Sequence, residues 1–442
     1  MTRPLPPAGG TPKDFVLPVA EIFTLGNGMT VTLVPWGSIP KATVSLVLRA
    51  GSLNERPDEV WLAELVGDLL QEGTLSRGAR EVAEAAAGMG GSVKVATGFD
   101  QTGVTGDVLA EAAPDMVRLL AEMVRHPRLP ESELPRLRQD RLRELAVARQ
   151  QPDQLALEAF RQALHGDHPY GRLFPTEAML TGFTIGQARG FYETNFGARR
   201  ARLYVAGRFD PAAVRVAAEE AFGEWAPGPE PLVLPPAVRA RRELLVVDRP
   251  GAPQSTLIVG TPVFDPTHPD WVRLLVANAL LGGSFASRIT SNIREEKGWT
   301  YSPASTVSVR YRDAYWAESA DVTTAATGQS LGEIFREIER LGAEAPPEEE
   351  LDGIRNYVAG TFVLQNSTRQ GIIGLMTFLG LHGLPESYLQ TYVRTVHGTT
   401  PADVSRLVHE FLVPGRMLIA VTGDRAAIAD QLAPWAPVES PA

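Results

Sequence analysis

The residue types able to do chemistry are unevenly distributed along the chain. No cysteine is present, which excludes a disulfide, a thiolate nucleophile and a cysteine-ligated metal. The seven histidines are scattered, and no two of them have the i, i+4 spacing that places two metal ligands on one face of a helix. Glu64 and Asp68 do have that spacing and would face each other across one helical turn. This stretch therefore offers carboxylates rather than imidazoles.

The sequence around these two carboxylates resembles a known catalytic helix. The segments Arg49–Ser52 and Trp61–Thr74 are similar to the signature region of the insulinase/pitrilysin family of metallopeptidases. In that family the helix carries His-x-x-Glu-His, in which the two histidines bind zinc and the glutamate is the general base. The three motif positions fall here on Glu64, Gly67 and Asp68, and none of them is the residue that zinc chemistry requires.

The resemblance implies one more ligand position, a distal glutamate, which corresponds to Glu144. Glu64, Asp68 and Glu144 would together form an all-oxygen cluster, which suits Mg²⁺ or Ca²⁺ better than zinc. Such a cluster would still lack a general base, because Gly67 has no side chain. The simpler interpretation is that Glu64 and Asp68 lie on the solvated face of an amphipathic helix. On either interpretation we expect this chain to bind no zinc.

A second motif lies in the other half of the chain. The segments Leu281–Arg288 and Asn292–Ser302 closely resemble the family's C-terminal-domain motif, in which an arginine and a tyrosine project toward the zinc site of the opposing domain. These residues are Arg294 and Tyr301 here. By resemblance they assist catalysis in trans, because the arginine offers a fork of donors to substrate carbonyls and the tyrosine hydroxyl donates to an oxygen that becomes negatively charged. Neither residue starts hydrolysis by itself.

Local sequence signals would bring Arg294 and Tyr301 together. Arg294 is expected in the last turns of a helix that Gly298 ends with a left-handed cap, and Tyr301 would open a strand over Ser302–Tyr311. Both side chains would then point into one cavity. The structural alternative is an arginine paired with a neighbouring glutamate and a tyrosine packed at the start of the strand.

Two further segments are predicted to contact a peptide substrate. Gly282, Gly283 and Ser284 belong to the second motif. In the first half, an edge-strand segment has Lys94 and Val95 where the family normally has an Asn-Ala pair that helps to hold the extended substrate. Pairing through the backbone would survive this change, because addition of a strand to a sheet edge relies on main-chain groups.

The elements that must position these motifs predict an α+β fold with two related domains. Strands precede helices in blocks, which is unlike a doubly wound sheet. Asn27-Gly28 between two strand-like runs predicts a hairpin. Thr184–Gly207 and Thr400–Gly423 align without a gap as threonine cap, amphipathic helix, turn, strand and glycine, which indicates duplication. The predicted organisation is a flexible leader over residues 1–17, an N-terminal domain over 18–226, a Pro-rich linker over 227–240 and a C-terminal domain over 241–442.

The overall composition excludes several classes of protein. Hydrophobic residues make up 44% of the chain and charged residues 21%, as in ordinary folded proteins. The net charge of -10 argues against a nucleic-acid-binding surface. Because the sequence has neither the apolar stretch of a signal peptide nor a long apolar run elsewhere, we expect no membrane association and a cytoplasmic location.

The motifs together predict a non-catalytic, substrate-binding subunit of a heterodimeric zinc peptidase that acts on unfolded peptides. The zinc would be in a partner subunit of the same family. Three alternatives stay open: a homodimeric peptide-binding protein, a structural scaffold, and a stand-alone metallopeptidase with an atypical carboxylate metal site. Retention of Arg294 and Tyr301 argues against the scaffold, and Gly67 argues against the stand-alone enzyme.

Overall fold

Eleven strands form two separate sheets in the computed structural model, which describes residues 15, 16 and 18–436. The first sheet contains β1 (Glu21–Thr24), β2 (Thr30–Pro35), β3 (Lys41–Leu48), β4 (Val93–Thr97), β5 (Thr102–Leu109) and β6 (Ala201–Gly207), in the order β1-β2-β6-β3-β5-β4. The second sheet contains β7 (Glu243–Asp248), β8 (Gln254–Val263), β9 (Ala304–Arg310), β10 (Asp313–Thr323) and β11 (Leu418–Gly423), in the order β7-β11-β8-β10-β9.

Helices surround both sheets. The helices of the first half are α1 (Leu62–Leu69), α2 (Ala79–Gly88), α3 (Ala113–Arg125), α4 (Leu134–Ala148), α5 (Pro152–His165), α6 (Glu177–Gly182), α7 (Ile185–Asn195) and α8 (Pro211–Phe222). Those of the second half are α9 (Trp271–Asn278), α10 (Arg288–Thr290), α11 (Thr327–Ala343), α12 (Glu348–Gln365), α13 (Arg369–His382), α14 (Ser387–His397), α15 (Pro401–Phe411) and α16 (Arg425–Leu432). The predicted α+β class is therefore confirmed.

The two halves share one topology, which confirms the predicted duplication. Each half contains one parallel pair, β2 with β6 and β7 with β11, and the other neighbouring strands are antiparallel; the first sheet has β1 as an additional edge strand. The aligned segments also have the same local structure. Thr184 caps α7 in a box with Gln187, and Thr400 caps α15 in a box with Asp403, so that each helix begins at the predicted residue.

Each sheet is covered on one face by a helix from the opposite half. The α5 helix packs Phe160 against Ile258 and Ala420 of the second sheet, while α13 packs against Val47 and Tyr204 of the first. Both faces of β3 are buried as a result. The two halves are therefore joined by apolar packing as well as by the chain between them.

The segments predicted as leader and linker differ in how much of them is described. Of residues 1–17, only 15 and 16 are described, and Phe15 packs edge-on against Phe362 at 5.2 Å between ring centroids. Residues 227–242, between α8 and β7, contain no helix or strand, in agreement with the proline content of that stretch. The predicted hairpin at Asn27-Gly28 is present, with Gly28 at a φ of +91°.

Candidate functional site

The α1 helix carries the three positions of the altered zinc motif, and it begins later than the sequence indicated. The sequence pattern predicts a helix from about Glu59, but Trp61 has a φ of 72° and the helix starts at Leu62. Glu55 supplies the N-terminal cap, since its carboxylate accepts hydrogen bonds from the backbone N–H groups of Trp61 at 3.3 Å and Ala63 at 2.8 Å. A capping residue seven positions before the helix is not a local sequence signal.

An arginine lies among the carboxylates of this region. The Arg141 guanidinium, on α4, donates to Asp68 at 2.6 Å through Nη2 and at 3.0 Å through Nε, and to Glu144 at 2.8 Å through Nη1. Asp68 and Arg141 are both partly buried, with side chains 29% and 14% exposed, whereas Glu144 is exposed. The positive charge that the carboxylates face is therefore supplied by the protein itself.

Glu64 is more enclosed than a residue on a solvated helix face. Its Oε2 atom is buried and has no hydrogen-bond partner among the described residues. Burial raises the pKa of Glu64 to about 7, and the positive charge of Arg141 opposes that shift. The expectation of a solvated face was wrong for Glu64, because α4 and the neighbouring strand cover the helix there, and only Asp68 reaches a counter-ion.

Gly67 stands where the resemblance places the general base, and it is tightly packed. A Cβ atom at this position would lie 2.6 Å from Oγ1 of Thr97 and 3.5 Å from Cγ1 of Val95, both on β4. The absence of a side chain lets the helix approach the edge strand closely. A larger residue would have to displace Thr97, so the loss of the base and the packing of β4 are linked.

The residues present do not fit a zinc ion. Gly67 provides no atom, Asp68 is held in an ion pair, and Arg141 places a full positive charge beside the motif positions. Across residues 15–16 and 18–436, no three or more His, Cys, Asp or Glu side chains are grouped so that they could hold a metal ion. A harder cation shared by Glu64, Asp68 and Glu144 would have to displace the Arg141 guanidinium.

The predicted substrate-binding strand is at the edge of the first sheet. Strand β4 pairs with β5 on one side only. Lys94 is exposed, while Val95 turns toward α1 and packs against the core of the first half. A peptide added to this edge would therefore meet main-chain groups and the Lys94 side chain, but not the side chain of Val95.

Arg294 and Tyr301 lie on one cleft of about 350 Å³ in the second half. Arg294 lies in a π-helical turn, Ser291–Glu296, and Gly298 follows with a φ of +66° as expected for a left-handed cap. The Arg294 guanidinium carbon is 5.2 Å from the ring centroid of Tyr301 and 4.4 Å from that of Phe285. These contacts hold the guanidinium between two aromatic rings.

Tyr301 is 79% exposed, and it is not packed at the start of a strand as the structural alternative required. The strand that follows, β9, begins at Ala304 rather than at Ser302. Arg294 also forms an ion pair with Glu295, at 3.4 Å between Nη1 and Oε1; the two side chains are 22% and 55% exposed. The hydroxyl of Tyr301 is thus free to meet a ligand.

The remaining predicted contact residues form the floor of the same cleft. Gly282 and Gly283 end a π-helical turn over Ala279–Gly283, and Ser284 follows them. A Cβ atom on Gly282 would overlap with Glu318 and Ser305, so this turn can lie against β10 and β9 only with glycine there. The motif thereby serves close packing as well as any contact with a substrate.

Glu318 lies directly behind this floor and was not singled out from the sequence. It is in the middle of β10, it is 0% exposed, and neither of its oxygens has a hydrogen-bond partner among the described residues. Burial raises the pKa of Glu318 well above its ordinary value of 4.5. An acidic residue at an inward position of a central strand is visible in the sequence, but its burial is not.

We expect the variant Glu318→Gln to gain stability relative to the parent as the pH rises. A carboxyl whose pKa is raised by folding makes its full contribution to the free energy of unfolding at pH values below its pKa in the unfolded chain. As the pH rises from there toward its pKa in the folded chain, the contribution is lost by up to about 1.4 kcal/mol for each pH unit. The amide of the variant does not titrate and has no such loss. Urea unfolding at about pH 5 and about pH 8 measures the difference. An equal effect of the substitution at both pH values, or the same trend in exposed Glu339→Gln, would contradict the buried neutral carboxyl.

Comparison with known proteins shows that the regions containing both motifs match models of one family. The family model described as insulinase (peptidase family M16) matches residues 36–174, and the model described as peptidase M16 inactive domain matches residues 182–358. An uncharacterized zinc protease of Rickettsia bellii is 26% identical over 348 residues, which cover 76% of this chain and 82% of the relative. An uncharacterized zinc protease of Bacillus subtilis is 25% identical over 345 residues, covering 77% and 83%.

Solved structures show the same fold. A peptidase M16 inactive domain from Pseudomonas fluorescens superposes with a TM-score of 0.84 at 21% identity, covering 91% of this chain and 98% of that one. A protease from Helicobacter pylori superposes with a TM-score of 0.85 at 20% identity, covering 92% and 100%. The first model lies within the first half, the second runs from the end of α6 in the first half into α12 in the second, and the relatives span most of the chain. The chain therefore belongs to the insulinase, or M16, family of peptidases.

Proposed function

We propose that this chain is the non-catalytic, peptide-binding subunit of a heterodimeric zinc peptidase that acts on unfolded peptides. The observation that carries the proposal is the ion pair between Arg141 and Asp68 at the altered zinc motif. A guanidinium beside the motif positions, together with a glycine at the base position, leaves this chain without a means to activate water. The donors of the second motif are nevertheless retained.

Arg294 and Tyr301 would act on a peptide bond held at the partner's active site. The partner would supply the zinc and the activated water. The Arg294 guanidinium offers several N–H donors in a fixed plane, and its position between Phe285 and Tyr301 limits the rotamers that it can adopt. A pre-oriented donor of this kind stabilises a developing negative charge better than a mobile one.

The first half would contribute a surface for the extended peptide. Strand β4 offers unpaired main-chain groups at the sheet edge, and β-strand addition needs no particular side chain of the peptide. Such binding suits unfolded segments of varied sequence. Among the described helices, none combines the length and the apolar character that crossing a bilayer requires. A cytoplasmic location stays part of this proposal.

Reconstitution tests the assignment. The purified chain is expected to show no cleavage of a casein-derived peptide mixture and no stoichiometric zinc. Cleavage is expected once the chain is mixed with a paralogue from the same genome that carries His-x-x-Glu-His, and the active species should contain one copy of each chain. Chelator-sensitive cleavage by the chain alone would contradict the proposal. Peptide binding by a stable homodimer that never associates with the paralogue would favour the homodimeric alternative.

A further inference from the structure

Four arginines that form no salt bridge among the described residues lie where two hairpin tips come together, the one between β4 and β5, which carries Phe99 and Asp100, and the one between β9 and β10. Arg49 follows β3, Arg161 lies on α5, Arg310 ends β9, and Arg312 lies in the connection between β9 and β10. None of the four takes part in a salt bridge within the described chain, which is unusual in a protein of net charge -10. Guanidinium groups are costly to bury without a counter-ion, and Arg161 is only 9% exposed.

Aromatic rings hold these guanidinium groups in place. The guanidinium carbons of Arg310 and Arg161 are 4.5 Å and 5.1 Å from the centroid of the Phe99 ring. Those of Arg49 and Arg312 are 4.2 Å and 5.7 Å from the centroid of the Tyr311 ring. Stacking on an aromatic face orients a guanidinium but does not neutralise it, so the positive charge of the cluster persists.

The two hairpin tips are fixed to each other by Asp100. Its carboxylate accepts hydrogen bonds from the Tyr170 hydroxyl at 2.6 Å and from the Tyr311 backbone N–H at 3.1 Å. The other nearby carboxylate, Asp313, is already committed to His165, at 2.9 Å from its Nε2. Among the described residues, neither Asp100 nor Asp313 forms a salt bridge with any of the four arginines, and both already take part in other hydrogen bonds.

Arg312 is held in a backbone conformation that an arginine seldom adopts. It is the second residue of the two-residue connection between Arg310 and Asp313, and its φ is 59°. A left-handed conformation at this turn position normally selects glycine or asparagine. A bulky cationic residue there is tolerated at a cost in stability, which is a feature common at binding sites.

The arginines of the cluster add to pKa shifts that burial causes at His382 and at Arg310. Burial lowers the pKa of His382 to about 4; the charge of Asp265 opposes this shift, and the charges of Arg312 and Arg49 add to it. Burial and Arg161 lower the pKa of Arg310. These shifts agree with a local excess of positive charge, which the geometry already establishes.

We propose that Arg49, Arg161, Arg310 and Arg312 form an oxyanion-binding site at the junction of the two hairpin tips. Planar guanidinium groups bind carboxylate and phosphate through paired N–H donors. Arg161 is buried and Arg312 is exposed, so a ligand can reach the site from solvent. The ligand chemistry is that of inorganic phosphate or of an acidic peptide side chain. The site shares no residue with the cleft of Arg294 or with the motif positions Glu64, Gly67 and Asp68, so it does not depend on the proposed function.

Calorimetric titration of the full chain with inorganic phosphate and, separately, with a blocked peptide rich in glutamate tests the site. Saturable binding of one equivalent is expected for at least one of these probes, at constant ionic strength. Phosphate alone, the peptide alone or both would each support the site, and they would identify the source of the oxyanion. No saturable binding of either probe would overturn the proposal.

Substitutions distinguish binding of the anion at this site from nonspecific attraction of the anion to positive charge on the protein. Arg312→Gly is expected to raise the melting temperature, because glycine accepts the left-handed turn, and to weaken binding at least tenfold. Arg310→Gln should weaken binding to a similar extent. Arg80→Gln, which removes one charge from the exposed face of α2, is the matched control and should leave the affinity unchanged. Unchanged affinity in Arg312→Gly, or an equal loss in Arg80→Gln, would also overturn the assignment.

Discussion

Arg294→Ala is expected to lower kcat/KM of the reconstituted peptidase about 100-fold, and Tyr301→Phe should have a comparable effect on kcat. Removing one donor to a developing oxyanion typically costs about 3 kcal/mol of transition-state stabilisation. Arg294→Lys keeps the charge but loses the planar fork and the stacking between Phe285 and Tyr301, so most of the defect should remain. Steady-state cleavage of a fluorogenic peptide measures each effect.

Folding and assembly provide the controls for these variants. Tyr301 is 79% exposed, so loss of its hydroxyl should leave the melting temperature and the affinity for the partner unchanged. The zinc content of the mixed complex should also stay the same, because the substituted residues belong to the other subunit. Full activity of both Arg294→Ala and Tyr301→Phe would remove the assisting role and leave a scaffold or a peptide-binding protein.

Arg141→Met is expected to destabilise the chain by about 3 kcal/mol near pH 8, because it leaves Asp68 and Glu64 without their counter-charge in a partly buried place. The pKa of Asp68 is raised by burial and that of Glu64 to about 7, each against the influence of Arg141. Without the arginine both groups should bind protons more tightly. The stability of the variant should therefore recover as the pH falls toward 5, as measured by urea unfolding.

Arg136→Met is the matched control on the same helix. Arg136 also pairs with acidic residues, including Glu72 at 2.5 Å, but its side chain is 51% exposed. Its loss should change the free energy of unfolding by less than about 1 kcal/mol.

Adding Mg²⁺ or Ca²⁺ should raise the melting temperature of Arg141→Met more than that of the parent, since only the variant leaves the carboxylates unpaired. Equal losses in the two arginine variants would contradict a special role for Arg141.

Much of the fold was predictable because its signals are local. The threonine caps at Thr184 and Thr400 and the strands that follow them were aligned from the sequence alone, and both segments have the same structure. Capping boxes and turn glycines act within a few residues, so they can be recognised without tertiary information. The strand orders of the two sheets also correspond, so the similarity of the two aligned segments holds for the topology of both halves.

The boundaries that were misjudged depend on distant residues. The α1 helix starts at Leu62 because Glu55 caps it and Trp61 takes a left-handed conformation. Packing of α5 and α13 onto the sheet of the opposite half was not predicted either, because an amphipathic helix does not reveal which sheet it covers. Element type is therefore easier to predict than element ends or partners.

The sequence alone determined that the zinc motif is altered and that the Arg294 and Tyr301 motif is retained, because both are statements about residue type and spacing. Only the tertiary structure decided which group pairs with Asp68 and which rings stack on Arg294. Asp68 and Arg141 are 73 residues apart in the chain, and Phe285 meets Arg294 through the fold of a π-helical turn. Charge pairing and stacking act over a few ångströms in space, and spacing along the sequence does not reveal that distance.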